Sequence, residues 1–381
     1  MVLNSGQGAR PGGPAARPPH WQGPLVEIER CESDDPRDVL TFLQAHGLGG
    51  APTGQSGDTA VAVLLGARGC AQLAGVPLGP PSPVAIPECV AVAYRKGATG
   101  HPVAPAPVDV GDWALSWSDA EHGAAVRAVR DAISRGEVYQ ANVVGHRSAP
   151  VTGDPRAVAE AVCALPGATY GGWLAGEGWL VASASPEQVV RVEGDRVTTV
   201  PVKGTSRDAG ALRASEKDRA EHVMIVDLAR NDLARVTRPG SVEVETLYVV
   251  TPWSGLEHAH SRVAGVLQPG TTTGDVLAAV LPGGSVTGAP KHAACDLLAG
   301  LEPVGRGPAM GAFGFVWPGG LDLGLTIRTV AVAGGRAHVW AGGGITWSSD
   351  PDLEVAEAHA KAAPLLRALS PVGRGRVRTS T

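Results

Sequence analysis

Residues 171 to 204, GGWLAGEGWLVASASPEQVVRVEGDRVTTVPVKG, constrain the fold more than any other part of the chain. The segment consists of short apolar runs, rich in valine, that are separated by glycine-containing turns. Runs of this length between such turns are typical of successive β-strands. At least this part of the chain is therefore predicted to contribute strands that must find hydrogen-bonding neighbours.

Helical patterns surround these strands. Ser118 or Asp119 can cap a helix that Gly136 can end. Apolar residues at helical spacing predict a long helix over residues 214 to 236 and further helices over 272 to 281 and 352 to 369. The buried side of the long helix is expected to contain Ala220, Val223, Met224, Leu228 and Leu233.

The texture of the sequence divides the chain into four parts. Residues 1–22 and 370–381 are rich in small residues, proline and arginine, and we expect both segments to be disordered. Residues 23–111 form a short N-terminal part of the fold. Residues 112–369 are predicted to form a mixed α/β or α+β catalytic domain, which includes the strands LGLTIRTVAVA and AHVWAGGGITW.

Composition excludes several classes of protein. No run of 18 apolar residues is present and the N-terminus has no apolar signal region, so we expect a cytoplasmic protein without a membrane span. The net charge of -5 and the absence of a basic cluster before the C-terminal tail argue against nucleic acid as a partner. The 5 cysteines are widely spaced, which argues against a disulfide framework or a zinc site.

Carboxylates at helical spacing suggest a site for a cation. Glu354 and Glu357 share a helix face with Lys361, which by spacing alone describes an ordinary solvated surface. The glycines of AGGGITWSSDP lie just upstream, where backbone amides can approach an anion. Glu221 on the long helix, together with Glu357, could bind Mg²⁺, which prefers oxygen ligands.

Two other features point to an anionic ligand. The loop LPGGSVTGAPK is rich in glycine and leads into a helix, but it lacks the residue order of a P-loop, so a nucleotide is not expected. Arg328 is expected within an apolar strand, where an arginine requires a partner. That partner could be a substrate carboxylate or a structural acid.

Taken together, several motifs resemble those of the chorismate-utilising enzymes. They occur in one order over about residues 115 to 369: GEVYQANV, SASPEQ, PVKGTSRDAG, EKDRAEHVMIVDLARNDLARV, EHAHSRVAGVL, PGGSVTGAPK, IRT and AGGGITWSSDPDLEVAEAHAKA. The resemblance implies an α+β fold like that of anthranilate synthase component I. In that fold, two large antiparallel sheets pack face to face with helices outside.

The resemblance also assigns roles to residues. It implies that Mg²⁺ is bound by Glu221 and Glu357 with Glu354 close by, and that Glu187 is the general acid at the C4 hydroxyl of chorismate. His258 matches the active-site histidine. The expected substrate-binding residues are Gln140, Thr205, Thr287, Arg328, Gly343, Gly344 and Lys361.

Within the family, three positions make the chain look like the aminodeoxychorismate synthase component I branch. Isochorismate and salicylate synthases carry a water-activating lysine where this chain has Gln140, so ammonia becomes the expected nucleophile. Anthranilate synthases usually have alanine in place of Lys203 and GTLSGAPK in place of GGSVTGAPK. The resemblance implies that Lys203 attacks C2 of chorismate while the C4 hydroxyl leaves, and that ammonia then adds at C4 and expels the lysine.

Two alternatives remain at this stage. One is amination at C2, as in anthranilate synthase or 2-amino-2-deoxyisochorismate synthase, and the other is a non-catalytic subunit that keeps the fold. None of the cysteines lies in the G-x-C-x-G turn of a glutamine amidotransferase. We therefore expect ammonia to come from a separate amidotransferase subunit.

Overall fold

The computed structural model describes residues 25–50, 57–97, 104–253 and 256–370. The N-terminal segment predicted to be disordered lies outside the described residues, and so does the C-terminal one after Ser370. The side chain of Thr205 is also outside the described part.

The larger sheet has ten strands, and every neighbouring pair is antiparallel. Its order is β1-β3-β2-β15-β16-β9-β10-β13-β11, with β12 also paired to β13. The strands are β1 (Leu25–Ser33), β2 (Thr59–Leu65), β3 (Cys89–Lys96), β9 (Gln188–Glu193), β10 (Arg196–Val200), β11 (Val202–Ser206), β12 (Glu243–Trp253), β13 (Leu256–Val266), β15 (Ala312–Trp317) and β16 (Gly320–Leu325).

The smaller sheet has eight strands and is also antiparallel. Its order is β14-β6-β18-β17-β8-β7, with β4 and β5 paired to the long strand β6. The strands are β4 (Val108–Val110), β5 (Ala114–Leu115), β6 (Gln140–Gly153), β7 (Tyr170–Gly176), β8 (Trp179–Ser185), β14 (Gly288–Ala289), β17 (Thr329–Ala333) and β18 (Arg336–Ile345).

The helices connect these strands. They are α1 (Pro36–Ala45), α2 (Ala67–Ala74), α3 (Asp119–Ser134), α4 (Pro155–Cys163), α5 (Ala209–Ala214), α6 (Glu216–Ala234), α7 (Thr273–Val280), α8 (Lys291–Leu301) and α9 (Pro351–Ala368), with a 3-10 turn at Gly284–Val286. Ser118 caps α3 through a reciprocal pair of hydrogen bonds with Glu121, and Gly136 follows the helix at a φ of 75°. No described helix is long and apolar enough to cross a membrane.

The two sheets pack face to face around the largest hydrophobic cluster. This cluster joins Leu64 and Phe315 of the ten-stranded sheet to Leu174 and Trp340 of the eight-stranded sheet. A second cluster on the other face of the eight-stranded sheet includes side chains of α4 and α9. The α+β fold of two packed antiparallel sheets with outer helices is therefore confirmed.

Two local predictions from the sequence are wrong. The segment LGLTIRTVAVA forms two strands, β16 and β17, and Arg328 lies between them in the left-handed region with a φ of 50°. On α6, the predicted buried residues Ala220 and Val223 are exposed, Val223 at 47%, and the buried side instead includes His222 and Ile225. Leu233 is buried as predicted. The apolar pattern misplaced this face because α6 directs polar side chains toward the sheets.

Candidate active site

Lys203 connects elements of both sheets. It lies on β11 at the edge of the ten-stranded sheet, and its Nζ donates a hydrogen bond to the carbonyl oxygen of Gly344 on β18, at 3.5 Å. A Cβ placed on Gly344 would lie 3.0 Å from Lys203 Nζ and 2.9 Å from Gln140 Nε2. A side chain at position 344 would therefore force the ends of the lysine and glutamine side chains to shift.

The carboxylate of Glu221 is the ionic partner of Lys203. Glu221 Oε2 lies 3.1 Å from Lys203 Nζ, and its other oxygen accepts a hydrogen bond from Thr346 Oγ1 at 3.0 Å. Thr346 directly follows β18, so this bond links α6 to the end of the glycine-rich strand. The lysine is thus held between α6 and β18.

Helix α9 brings two more carboxylates beside the glycine strand. A Cβ placed on Gly343 would lie 2.8 Å from Glu354 Oε2 and 3.7 Å from Glu357 Oε1. Ser349 Oγ donates to Glu354 Oε1 at 2.6 Å. Lys361 Nζ lies 2.7 Å from Glu357 Oε1 and donates to the carbonyl oxygen of Gly342 at 2.8 Å.

The pKa values of these two carboxyl groups move in opposite directions. Burial raises the pKa of Glu354 despite the hydrogen bond from Ser349, and the like charge of Glu357 adds to the rise. Burial alone would also raise the pKa of Glu357, but the nearby ammonium groups of Lys361 and Lys203 hold it below its usual value. Two carboxylates in this arrangement would be stabilised by an added cation.

The predicted magnesium ligands fit such a cation by their chemistry. Glu221, Glu354 and Glu357 supply the carboxylate oxygens that Mg²⁺ prefers. Within the described residues, however, no group of three acidic, histidine or cysteine side chains is close enough to enclose a metal. Each carboxylate is instead bound to a lysine or a hydroxyl, and these contacts would have to loosen for Mg²⁺ to bind. The metal site stays a prediction.

Glu187 is a buried acid next to the lysine strand. It precedes β9, is 6% exposed, and accepts a hydrogen bond from Ser285 Oγ at 2.8 Å. Burial raises its pKa to about 7, although the hydrogen bonds from Ser285 and from the backbone of Val202 oppose the rise. A carboxyl group with this pKa holds a proton over much of the neutral range and can donate it.

Gln140 and Arg328 both lack the partners that buried polar groups normally have. Gln140 is 0% exposed, and neither polar atom of its amide has a hydrogen-bond partner in the described part of the chain. Arg328 is half-buried, burial lowers its pKa, and it forms no ion pair with a described side chain. Such groups are costly to bury unless a ligand satisfies them.

Two further predicted residues, His258 and Thr287, lie on β13 and in the glycine-rich loop. His258 is buried on β13, and its backbone pairs in register with Thr205 on β11. Thr287 Oγ1 donates to the carbonyl oxygen of Gly283 at 2.8 Å, and its own carbonyl accepts from the amide of Asn142 at 2.7 Å. Thr287 therefore shapes the glycine-rich loop and connects it to β6.

Two residues of this region were missed by the sequence analysis. Ser285 stands in the glycine-rich motif PGGSVTGAPK, and its Oγ donates to Glu187. His222 Nδ1 lies 2.9 Å from the carbonyl oxygen of Lys203, and burial lowers the pKa of His222. Its position next to Glu221 in the sequence was the available signal, because adjacent helical residues can reach neighbouring parts of one strand.

The structure has two packed antiparallel sheets, with a lysine and carboxylates gathered where they meet. This is the arrangement expected of a chorismate-utilising enzyme. The chain belongs to the family described as chorismate binding enzyme, whose model matches residues 89–367. The resemblance found in the sequence is therefore confirmed at the level of the family.

The relatives include two kinds of chorismate enzyme. Anthranilate synthase component 1 of Thermus thermophilus is 41% identical over 256 residues, which cover 64% of this chain and 55% of the relative. Aminodeoxychorismate synthase component 1 of Escherichia coli is 34% identical over 269 residues, which cover 68% of this chain and 59% of the relative. The chain thus matches little more than half the length of these relatives.

A solved structure has the same fold. The crystal structure of anthranilate synthase component I from Streptococcus pneumoniae superposes with a TM-score of 0.78 at 24% identity. The match covers 92% of this chain and 95% of that chain.

Proposed function

We propose that the chain is an aminodeoxychorismate synthase component I, which aminates chorismate at C4 to give 4-amino-4-deoxychorismate. The observation that carries the proposal is the position of Lys203 Nζ, between Glu221 and the backbone of Gly344. Anthranilate synthases usually have alanine at this position, so the lysine favours amination at C4. The names of the relatives are divided between the two activities.

The reaction uses Lys203 as a nucleophile. Its neutral amine forms a bond to C2 of chorismate while the ring double bonds shift and the C4–O bond breaks. Glu187 donates a proton to the departing hydroxyl, which leaves as water. Ammonia then forms a bond to C4, the double bonds shift back, and the bond between Lys203 and C2 breaks.

Other residues bind and orient the substrate. Arg328 and the amides of Gly343 and Gly344 would bind carboxylates of chorismate, and the unpartnered amide of Gln140 would face the ring. Thr287, Lys361 and His258 would complete the pocket, and Thr205 stays a substrate-binding residue expected from the sequence. Mg²⁺ held by Glu221, Glu354 and Glu357 would neutralise a substrate carboxylate.

The ammonia is proposed to come from a separate glutamine amidotransferase subunit. The cysteines are free, and none stands in the G-x-C-x-G sequence of an amidotransferase nucleophile. A protein-lined route would deliver ammonia in its neutral, reactive form and away from bulk water. The isolated chain should therefore use ammonium salts but not glutamine.

Product identification tests the proposal. The purified chain is incubated with chorismate, Mg²⁺ and ammonium at alkaline pH, and the isomeric amino products are separated before mass analysis. We expect 4-amino-4-deoxychorismate, and we expect glutamine to support the reaction only after an amidotransferase subunit is added. Anthranilate or 2-amino-2-deoxyisochorismate as the product would instead establish amination at C2. Failure to consume chorismate would favour a non-catalytic role.

A further inference from the structure

Lys203 lies where the pairing of its strand is interrupted. Val202 pairs with His260 and Thr205 pairs with His258, so β11 contains one more residue than β13 between these two pairs. Lys203 and Gly204 have no partner in this register, and Gly204 has a φ of 100°. A bulge of this kind redirects a side chain, but it also removes regular ladder bonds that would fix the backbone.

His222 supplies a hydrogen bond at this bulge. Its Nδ1 lies 2.9 Å from the carbonyl oxygen of Lys203, and the side chain is on α6 with 0% exposure. Because a carbonyl oxygen can only accept, the proton of this hydrogen bond must be on Nδ1.

The other ring nitrogen defines the rest of the proton arrangement. His222 Nε2 lies 2.6 Å from Ser261 Oγ, and Ser261 Oγ accepts a hydrogen bond from the backbone amide of Tyr248 at 2.9 Å. The hydroxyl hydrogen of Ser261 is therefore available for donation to Nε2. Four groups form a series of hydrogen bonds: the Tyr248 amide, the Ser261 hydroxyl, the His222 ring and the Lys203 carbonyl. Each has a partner when His222 carries its hydrogen on Nδ1 alone.

Neighbouring residues of α6 thus hold the two ends of Lys203. Glu221 contacts Nζ at 3.1 Å, and His222 contacts the carbonyl oxygen. Consecutive helical residues point about 100° apart. Bonds from both residues therefore restrict rotation of α6 relative to β11, which a single contact could not do.

Tyr248 lies at the far end of this series of hydrogen bonds and is itself held in place. Its hydroxyl donates to the carbonyl oxygen of Leu212 on α5 at 2.9 Å, and its ring packs edge-on against the His222 ring at a centroid distance of 5.1 Å. The backbone of Tyr248 has a φ of 53°, a conformation that is costly for a tyrosine. The surrounding contacts therefore hold Tyr248, and through Ser261 they hold the ring of His222.

We propose that His222 is a positioning residue, which sets the direction of the Lys203 side chain by holding the Lys203 carbonyl through its Nδ1–H group. Its importance for catalysis rests on the proposed function, in which Lys203 is the nucleophile. Its effect on the geometry of Lys203 does not depend on that function.

Two substitutions separate the two hydrogen bonds of His222. In His222→Asn, the amide nitrogen can occupy the place of Nδ1 and donate to Lys203, but contact with Ser261 is lost. In His222→Gln, the longer amide can reach Ser261 in the manner of Nε2, but the donor to Lys203 is lost. Both variants remove the imidazole ring, so the general loss of packing is the same kind of change in each. A difference between them therefore reports the two hydrogen bonds.

The first measurement is steady-state amination with ammonium. We expect kcat to fall by roughly tenfold to a hundredfold in His222→Gln, because small displacements of a reacting group are costly. His222→Asn should stay within roughly threefold of wild type, and KM for chorismate should change little in either variant. Melting temperatures should fall by similar amounts in both.

The second measurement does not require amination. Lysines are labelled with pyridoxal phosphate and borohydride, and the rate at the Lys203 peptide is divided by the rate at exposed Lys96. We expect this ratio to change by roughly threefold or more in His222→Gln and to stay near wild type in His222→Asn. If wild type fails to make 4-amino-4-deoxychorismate, the proposed function fails, and this labelling still tests the positioning role.

The outcomes are distinct. Equal losses in the two variants, or wild-type kcat and labelling in His222→Gln, would overturn the proposal. If neither variant folds by circular dichroism, Ser261→Ala decides, because it keeps the ring of His222 and removes the hydroxyl that orients it, together with the acceptor of the Tyr248 amide. A lower kcat and altered labelling in Ser261→Ala would support the proposal, and wild-type values for both would overturn it.

Discussion

Lys203 Nζ and Glu221 Oε2 lie 3.1 Å apart, so the proposed nucleophile and a proposed metal ligand form an ion pair. An amine that attacks a carbon atom must be neutral, and in that form it no longer makes an ion pair with a carboxylate. A cation that binds Glu221 would compete with Lys203 for the same carboxylate. Metal binding and release of the lysine are thus expected to be linked.

Replacement of the lysine tests covalent catalysis. We expect Lys203→Ala to lose at least about 10³-fold in kcat, because the covalent route is removed, while circular dichroism shows an intact fold. Lys96→Ala, which changes an exposed lysine at the end of β3, is the matched control. Mass analysis of quenched wild-type enzyme should find a substrate adduct on the Lys203 peptide. Undiminished amination by Lys203→Ala would exclude the covalent role.

The hydrogen bond from Ser285 predicts a shift in the pH profile. Because Ser285 donates to Glu187, it stabilises the charged carboxylate and opposes the rise of the Glu187 pKa to about 7. A proton donor loses activity as the pH rises through its pKa. Ser285→Ala should therefore raise the pKa and move the alkaline fall in kcat to higher pH by about one pH unit.

This profile is measured with free ammonia held constant at every pH. Ser134→Ala, which removes an exposed hydroxyl from α3, is the control. An alkaline fall that stays in place, or moves to lower pH, would argue against Glu187 as the proton donor.

The carboxylates of α9 predict a dependence on metal. We expect Glu357→Gln to raise the Mg²⁺ concentration for half-maximal activity by roughly tenfold or more, because a charged oxygen ligand is lost. The exposed Glu160→Gln substitution on α4 should leave this concentration unchanged. Excess chelator should abolish wild-type activity, and added Mg²⁺ should restore it. Full activity in chelator would contradict the metal site.

Arg328 allows substrate binding and backbone strain to be separated. Arg328→Ala and Arg328→Gly both remove the guanidinium, so both should raise KM for chorismate, by roughly tenfold or more. Only glycine adopts the φ of 50° without a steric cost. Urea unfolding should therefore give Arg328→Gly a free energy of unfolding about 1 kcal/mol above that of Arg328→Ala. An unchanged KM in both variants would remove Arg328 from the binding site.

A pair of stacked histidines predicts sensitivity to acid. His146 Nε2 lies 3.1 Å from His338 Nδ1, and burial lowers their pKa values to about 3 and about 4. The unfolded chain, with an ordinary histidine pKa of about 6.5, binds these protons first as the pH falls. The histidines thus contribute full stability above pH of about 6.5, and this contribution is lost toward acid.

Urea unfolding at pH 7 and pH 5 measures this effect. We expect a loss of roughly 1 kcal/mol or more between these pH values, and a smaller loss in His338→Gln. His292→Gln, which changes an exposed histidine on α8, should behave as wild type. An equal loss in His338→Gln and wild type would show that other groups control acid stability.

Local patterns predicted much of the fold and of the site. Strands between glycine-containing turns depend on residues that are close in sequence, and the structure contains these strands. The same is true of the helical spacing that places Glu354, Glu357 and Lys361 together on α9. The conformation of Arg328 was not predictable in this way, because a positive φ at arginine is imposed by its surroundings and not by its own preference.

Contacts between distant segments explain the other failures. Ser285 meets Glu187 across 98 positions of sequence, and His222 meets Ser261 across 39. Periodicity assigns polar residues to the surface, so a buried histidine such as His222 appears only once the neighbouring strands are known.

The distribution of the site between the sheets affects how activity can be lost. Lys203 belongs to one sheet and Gly344 to the other, and 141 positions of sequence separate them. Under the proposed function, the reaction needs groups from both sheets, so neither sheet alone is expected to act on chorismate at a reduced rate. A substitution that loosens the contact between the sheets should lower the fraction of active molecules. Each molecule whose sheets stay packed together should keep its full turnover rate. Heat or denaturant should then reduce the number of active molecules and leave the turnover rate of each active molecule unchanged.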